Sequence, residues 1–292
     1  MTIEANKRAV VAFNSHFEHS EIDAILAAMT DDCQWWVLGK PELFPVTGAL
    51  SKTEYGALLR EIHASLQGGM RMDVVGMVAE GDQVVAELRA HAVTKAGRTY
   101  DNRYHMLYTL RDGQIAAVRE FTDLMTIQDV FYSPPAEASA PFLDAPANGP
   151  PPVARASEHP ADPGEAKRVV ATYLAHFGTG DVRAVLDMMT DDATWWVNGR
   201  PDLFPGAGSW TKAEMADVWR GLYARLDGNL AMEPTGMVAE HDRVASEVRS
   251  RAVTTTGKTY ANDYLMLFVL RDGRIAQVRE YTDLLHAAAV FG

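Results

Sequence analysis

The sequence predicts an α+β protein built from two tandem copies of one domain, each with three N-terminal helices packed on a curved antiparallel sheet. Three observations carry that expectation. The length of 292 residues suits two domains of about 150 residues each. The segment Asp31-Asp32-Cys33-Gln34-Trp35-Trp36-Val37 returns as Asp191-Asp192-Ala193-Thr194-Trp195-Trp196-Val197. Within each copy, helical spacing comes first and alternating strand segments follow.

The repeat extends well beyond the tryptophan pair. Gly39, Pro41, Leu43, Phe44 and Pro45 recur as Gly199, Pro201, Leu203, Phe204 and Pro205, and Val118–Leu124 recurs as Val278–Leu284. Roughly 60 identities fall over about 130 positions, with no insertion between Lys7/Lys167 and Phe131/Phe291. Residues 1–132 therefore form copy one and 165–292 copy two. Residues 133–164 hold nine of the fourteen prolines and read as a semi-extended linker.

In copy two, Val169, Val170, Tyr173, Leu174 and Phe177 place a helix over Ala166–Phe177, ended by Gly178 and Gly180. Asp181 caps a second helix, Val182–Met189, and the β-forming stretch Thr194–Val197 is a strand. Ser51-Lys52-Thr53-Glu54 and Thr211-Lys212-Ala213-Glu214 are capping boxes that open a third helix. Gly76–Ala79, Val84–Thr94, Thr99–Leu110 and Ile115–Asp123 then alternate as strands. Turns at Gly81-Asp82, Ala96-Gly97 and Asp112-Gly113 separate them.

Composition narrows the function classes. Hydrophobic residues at 47% and charged residues at 23% are ordinary for a globular chain. A net charge of −12 disfavours nucleic acid and anionic lipid as partners. Cys33 stands alone, which excludes an internal disulfide and disfavours a cysteine-based zinc site. No apolar run has signal-peptide or membrane-span length, so a cytoplasmic protein without membrane contact is expected. Nucleotide, phosphate-loop and serine-hydrolase motifs are absent. His16 and His19 have metal-pair spacing without a third ligand, so neither a metal nor another cofactor is expected.

The order of helix, Gly-Asp, helix, Asp-Asp-Ala-Thr, strand, third helix and meander resembles the nuclear transport factor 2-like superfamily. More narrowly it resembles the SnoaL-like polyketide cyclase and ketosteroid isomerase-related branch, with limonene epoxide hydrolase as a cousin. The resemblance implies a conical pocket between the helices and the concave sheet face. It also implies dimerisation through the sheets, so the chain resembles a covalently fused dimer and is expected to be a monomer.

Candidate site residues follow from strand register and from this resemblance. A two-residue hairpin at Asp112-Gly113 pairs Arg111 with Gln114, His105 with Glu120, Leu107 with Val118 and Arg103 with Thr122. Both sheet faces then carry polar groups, and periodicity leaves open which one is concave. In the cyclases and the epoxide hydrolase a working carboxylate lies seven residues beyond the turn glycine. That implies Glu120 and Glu280 as acid–base groups, with Arg103 and His105 on the same wall. Leu265 replaces His105 in copy two. Tyr173 falls on the isomerase's oxyanion-donating tyrosine, whereas copy one has Phe13, and the isomerase base would fall on Val37 and Val197. Steroid isomerisation is therefore not expected. An ordinary buried tyrosine is the alternative for Tyr173.

His16 and His176 share one helical position a turn from Phe13 and Tyr173, which points them at the pocket or makes them core histidines. Alternation along the strand turns one tryptophan of each pair inward. Alignment with the isomerase base at Val37 implies that these are Trp35 and Trp195, as flat pocket walls or as large core residues, with Leu107 and Leu265 on the proposed inner face. The Pro/Gly-rich loop Gly39–Gly48 lies at the expected mouth as a lid. Glu87 with Arg89, and Glu247 with Arg249, resemble the hydrolase's acid–arginine arrangement, but in reversed order and on the face opposite Glu120.

The function expected is cofactor-independent acid–base chemistry of the lyase, isomerase or cyclase type on a hydrophobic aromatic or polycyclic small molecule. Glu120, His105 and His16 would act in copy one, and Glu280, Tyr173 and His176 in copy two. The alternatives are a non-catalytic small-molecule-binding or scaffolding pseudo-dimer and an epoxide hydrolase-like enzyme.

Overall fold

Each unit begins with a capped helix whose apolar stripe lies against the sheet. In the first unit, Thr2 accepts from the Ala5 amide and opens α1 (Ile3–Ser15), which buries Asn6, Val10, Phe13 and Asn14. In the second, Asp162 caps α5 (Pro163–Phe177), with proline in the first turn where its missing amide costs nothing. The computed structural model describes residues 2–133, 149–154 and 162–292. The chain divides into the units Met1–Pro146 and Ala147–Gly292.

After α1 the first unit runs α2 (Ile22–Ala27), β1 (Met29–Val37), β2 (Gly48–Ser51), α3 (Lys52–Ser65), β3 (Arg71–Glu80), β4 (Gln83–Val93), β5 (Thr99–Arg111) and β6 (Gln114–Thr122). It ends in α4 (Leu124–Ile127), which continues as a π-helical turn over Gln128–Tyr132. The second unit repeats this as α6 (Val182–Asp187), β7 (Met189–Val197), β8 (Gly208–Thr211), α7 (Lys212–Tyr223), β9 (Ala231–Glu240), β10 (Arg243–Val253), β11 (Thr259–Arg271), β12 (Arg274–Thr282) and α8 (Leu284–Phe291). Both capping boxes are formed, at Ser51/Glu54 and Thr211/Glu214.

The two sheets have the same six-strand order, β2-β1-β6-β5-β4-β3 and β8-β7-β12-β11-β10-β9. They are α+β cones as expected, but the sheets are mixed: β1 runs parallel to β6, and β7 parallel to β12. The first strand also starts earlier than β-propensity indicates. Met189 opens β7 where the sequence extends the helix, and the acidic pair Asp191-Asp192 lies inside the strand. Lys212 reaches Asp191 at 3.3 Å and Arg271 bonds Asp192, so tertiary partners hold these poor strand formers in place. The C-terminal helices are absent from the sequence reading. They start where Asp123 and Asp283 cap them directly after the last strand.

One irregularity decides what faces inward. The Asp112-Gly113 hairpin pairs Arg111 with Gln114 as expected, and then Leu110 pairs with Ile115 while Thr109 pairs with Ala117. Ala116 is the extra residue of a β-bulge, and beyond it every partner moves by one. The second unit has the same bulge at Ala276, between the Leu270–Ile275 and Val269–Gln277 pairs.

Most of the proposed linker, residues 134–148 and 155–161, lies outside the described residues. Residues 149–154 run beside β12. Arg279 Nη2 donates to the Pro151 carbonyl at 2.8 Å and Gln277 Nε2 to that of Pro152 at 3.1 Å.

Candidate active site

The bulge puts Glu120 opposite Met106, not His105. The inner face of the first sheet therefore carries Tyr100, Asn102, Tyr104, Met106 and Tyr108 beside Glu120. His105 lies on the reverse face opposite Phe121 and Glu87, Leu107 opposite Arg119, and Arg103 opposite Arg89. The placement of His105, Arg103 and Leu107 on the pocket wall is thus corrected, and Leu265, paired with Tyr281, is corrected with them. The cause is the single inserted residue Ala116. Glu87 does sit on the face opposite Glu120, as the register required.

Between helices and sheet the first unit encloses a cavity of about 200 Å³. Its wall is apolar for the most part, with Phe17, Val37, Leu59, Met70, Met72 and Leu124 among its residues, and Glu120, His63, Tyr55, Tyr100 and Tyr104 supply polar atoms. Glu120 is half-buried, and the surface it keeps opens into this space. Trp35, fully buried, donates its indole N–H to Glu120 Oε2 at 2.7 Å and stacks on Tyr55 with ring centroids 3.8 Å apart. Desolvation pushes the Glu120 carboxyl up to about 7, against the opposing effect of the Trp35 hydrogen bond. The carboxyl group is therefore close to half-ionised at neutral pH, the condition that suits a proton-transfer group.

Four tyrosines surround this carboxyl group. Burial drives the phenols of Tyr55, Tyr100, Tyr104 and Tyr108 upward, and the Glu120 charge adds to each, so all four stay neutral donors. Two of them form a relay. Asn102 Nδ2 donates to the Tyr100 hydroxyl at 3.0 Å and to the Asp123 carbonyl at 3.0 Å, and the Tyr100 and Tyr104 hydroxyls bond one another. Either hydroxyl of this pair can be the donor; when Tyr100 donates to Tyr104, the Tyr104 proton is left for a guest. The sequence held a signal for this group. Tyr100, Tyr104 and Tyr108 recur every fourth residue along one strand, and hence on one face; the first two return as Tyr260 and Tyr264.

The second unit keeps the polar core of this arrangement. Trp195 donates to Glu280 at 2.8 Å, and desolvation pushes the Glu280 carboxyl up to about 7. Tyr260 and Tyr264 bond at 2.6 Å, with Asn262 donating to Tyr260 at 2.9 Å. The apolar wall differs. Trp219 stands where copy one has Leu59, its indole packed edge-on against Trp195 (5.4 Å) and Phe177 (5.3 Å), and Met215 replaces Tyr55. Val197 pairs with Glu280 on β12, as Val37 does with Glu120.

Of the remaining candidates, Tyr173 lies within reach of the Glu280 charge, and His16 lies at a helix end. Tyr173 is fully buried with its hydroxyl 3.5 Å from the Met189 sulfur, packed on Phe177, Trp195 and Phe268. Burial, with the Glu280 charge added, pushes its phenol upward, and its packing is that of the buried tyrosine raised above as the alternative. Its hydroxyl has changed places between copies: Phe13 with Tyr108 in one, Tyr173 with Phe268 in the other. The partner of Tyr108, Asn14, becomes Leu174. Phe13 packs among Phe17, Trp35 and Tyr108, beneath the cavity wall. His16 is corrected from pocket to surface, where Nδ1 meets the exposed Glu21 at 2.6 Å. His176 is half-buried at the end of α5, where its carbonyl accepts from the Thr179 hydroxyl at 2.7 Å. The mouth loop contributes Phe44 and Val46 to the wall, and Gly39 is obligatory there: φ is +126°, and a Cβ would lie 2.6 Å from Thr47 and 2.7 Å from Leu124.

Replacing Trp35 by phenylalanine keeps a flat ring and removes the donor to Glu120. Its carboxyl group is then expected to titrate above about 7, as ¹³C-glutamate NMR would register. An unchanged or lower value would contradict the assigned hydrogen bond.

A helix-filled cone with a carboxyl group on the inner face of its last long strand places each unit in the nuclear transport factor 2-like class. The chain belongs, in two tandem copies, to the SnoaL-like domain family, whose model matches residues 10–118 and 170–278. A solved structure of TerC co-crystallised with polyporic acid is similar at 22% identity and TM-score 0.39, covering 44% of this chain and 99% of that one. A putative SnoaL-like polyketide cyclase from Jannaschia sp. CCS1 is similar at 21% identity and TM-score 0.39, covering 46% of this chain and 97% of that one. UPF0523 protein B of Dictyostelium discoideum is 29% identical over 98 residues, a match that spans 32% of this chain and 60% of that protein. Among the described residues no helix is long and apolar enough to cross a membrane.

Proposed function

We propose that the first unit is a cofactor-independent acid–base enzyme of the isomerase, lyase or cyclase kind that acts on a hydrophobic aromatic small molecule. The observation that carries this reading is the Glu120 carboxyl group, held by one indole N–H on the wall of an apolar cavity and ringed by neutral phenols. Glu120 takes a proton from a carbon next to a carbonyl group. The Tyr104 hydroxyl, backed by Tyr100 and Asn102, donates to the oxygen on which negative charge develops. The apolar wall keeps water from competing for either group. The enolate so formed is the common branch point for double-bond migration, ring closure and retro-aldol cleavage.

Exchange of substrate α-protons in D₂O tests this without knowledge of the natural substrate. Aryl ketones are expected to exchange measurably faster with the protein than in buffer, and Tyr104→Phe to slow that exchange by about 10²-fold. A panel of enolisable aryl ketones that binds without exchange would leave a ligand-binding protein in place of an enzyme.

A further inference from the structure

His63 lies in the last turn of α3, on the wall of the Glu120 cavity, and has no place in the proton transfer above. It is 9% exposed. Its Nδ1 is 2.9 Å from the Ser20 hydroxyl, and Ser20 sits between α1 and α2 at a left-handed φ of 55°. Its Nε2 is shielded from solvent and has no hydrogen-bond partner among the described residues. Burial pushes the imidazole down from its ordinary value, so the ring is neutral and carries a single proton. If Nδ1 holds that proton, it donates to Ser20 and Nε2 is a bare acceptor. If Nε2 holds it, Ser20 donates to Nδ1 and Nε2–H is a bare donor. In both cases one ring position is left for a guest.

The second unit has closed the corresponding position. Tyr223 stands for His63 and donates its hydroxyl to the Phe177 carbonyl at 2.6 Å, and Gly180 stands for Ser20. The unmatched nitrogen is thus a property of the copy whose cavity is open at Leu59, and it is absent from the copy that places Trp219 there.

We propose that His63, oriented by Ser20, is a second polar anchor of the cavity and binds a phenolic hydroxyl of the substrate. A hydroxyl group both donates and accepts, so it satisfies Nε2 in either tautomer, whereas a carbonyl oxygen satisfies only one. Resting on the proton-transfer reading of Glu120, this names the substrate class: an aryl ketone with its enolisable carbon at Glu120 and a ring hydroxyl at His63. Met70, Met72 and Phe17 border the same cavity and suit the flat apolar body.

The test compares 6-hydroxy-2-acetonaphthone with 2-acetonaphthone, two ketones that differ in that hydroxyl alone. Binding is measured by calorimetry on the full chain carrying Glu120→Gln, so the result does not depend on whether the protein turns either compound over. The hydroxylated ketone is expected to bind about 10-fold more tightly. His63→Tyr, the residue the second unit uses, is expected to bring that ratio to about one. Ser20→Ala, which leaves the ring in place, is expected to shrink the ratio part of the way. A hydroxylated ketone that binds no more tightly than its partner, absence of binding included, overturns the assignment, as does a ratio that survives His63→Tyr. Failure of α-proton exchange with the discrimination intact would remove the proposed reaction and leave this anchor standing.

Discussion

Glu120→Gln is expected to reduce α-proton exchange by at least about 10²-fold and, in the same protein, to raise stability above neutral pH. Glutamine has the shape of the protonated side chain and still accepts from Trp35, but it cannot take up a proton. The sign of the stability effect follows from the raised carboxyl group, which stands at about 7 in the fold against an ordinary 4.5. Below the ordinary value both folded and unfolded chains hold the proton, and nothing is lost. Between 4.5 and 7 the unfolded chain releases a proton that the folded chain retains, so wild-type stability falls as pH rises. Above 7 the loss is complete, and the shift corresponds to on the order of 3 kcal/mol. Glu120→Gln should therefore match the wild type near pH 4 and exceed it by that order near pH 8, as urea unfolding at the two values would measure. Glu280→Gln should give the same gain, for the same reason, with exchange retained. A difference that does not vary with pH would mean that Glu120 is already ionised and solvated in the native cone.

Leu59→Trp with Tyr55→Met is expected to abolish ligand binding in the first unit and leave the fold intact. The pair transplants Trp219 and Met215, so the second unit shows that the same backbone accepts an indole on this wall. Tyr55 changes with it because it stacks on Trp35 at 3.8 Å, the tryptophan whose counterpart Trp195 the Trp219 indole packs against. An indole that fills existing space instead of displacing neighbours should cost no more than about 1.5 kcal/mol of stability. Affinity for an aryl ketone should drop at least about 100-fold, because the apolar contacts and the approach to Glu120 are lost together. Undiminished binding in a folded double variant would place the ligand outside this cavity.

The repeat, the α+β class and the order of the three N-terminal helices and the long strands were legible because identities between the copies and turn residues survive in one sequence. The mixed sheet and the early start of β1 and β7 were not. The early start rests on contacts made by Lys212, Arg271 and their counterparts, and the parallel pairing on strands distant in sequence, neither of which propensity carries. The site was legible in part. Glu120, Glu280, Trp35 and Trp195 do come together in hydrogen-bonded pairs. His105, Arg103 and Leu107 were turned to the wrong face by one bulge at Ala116, since a slip of one residue exchanges the faces of a strand. The same slip hid Tyr100 and Tyr104, although their recurrence as Tyr260 and Tyr264 marks them in the sequence. His63 was silent because its meaning lies in what Ser20 does to one ring nitrogen, and Ser20 is on a different element.

The pH dependence of α-proton exchange, measured in the Glu280→Gln protein, bears most directly on Glu120 as the base. With the second carboxyl group removed, the rate should rise through a single ionisation near 7 and then level off, as the ionised form of Glu120 accumulates. A rate that is flat across that range, or that falls as the carboxylate forms, would contradict it.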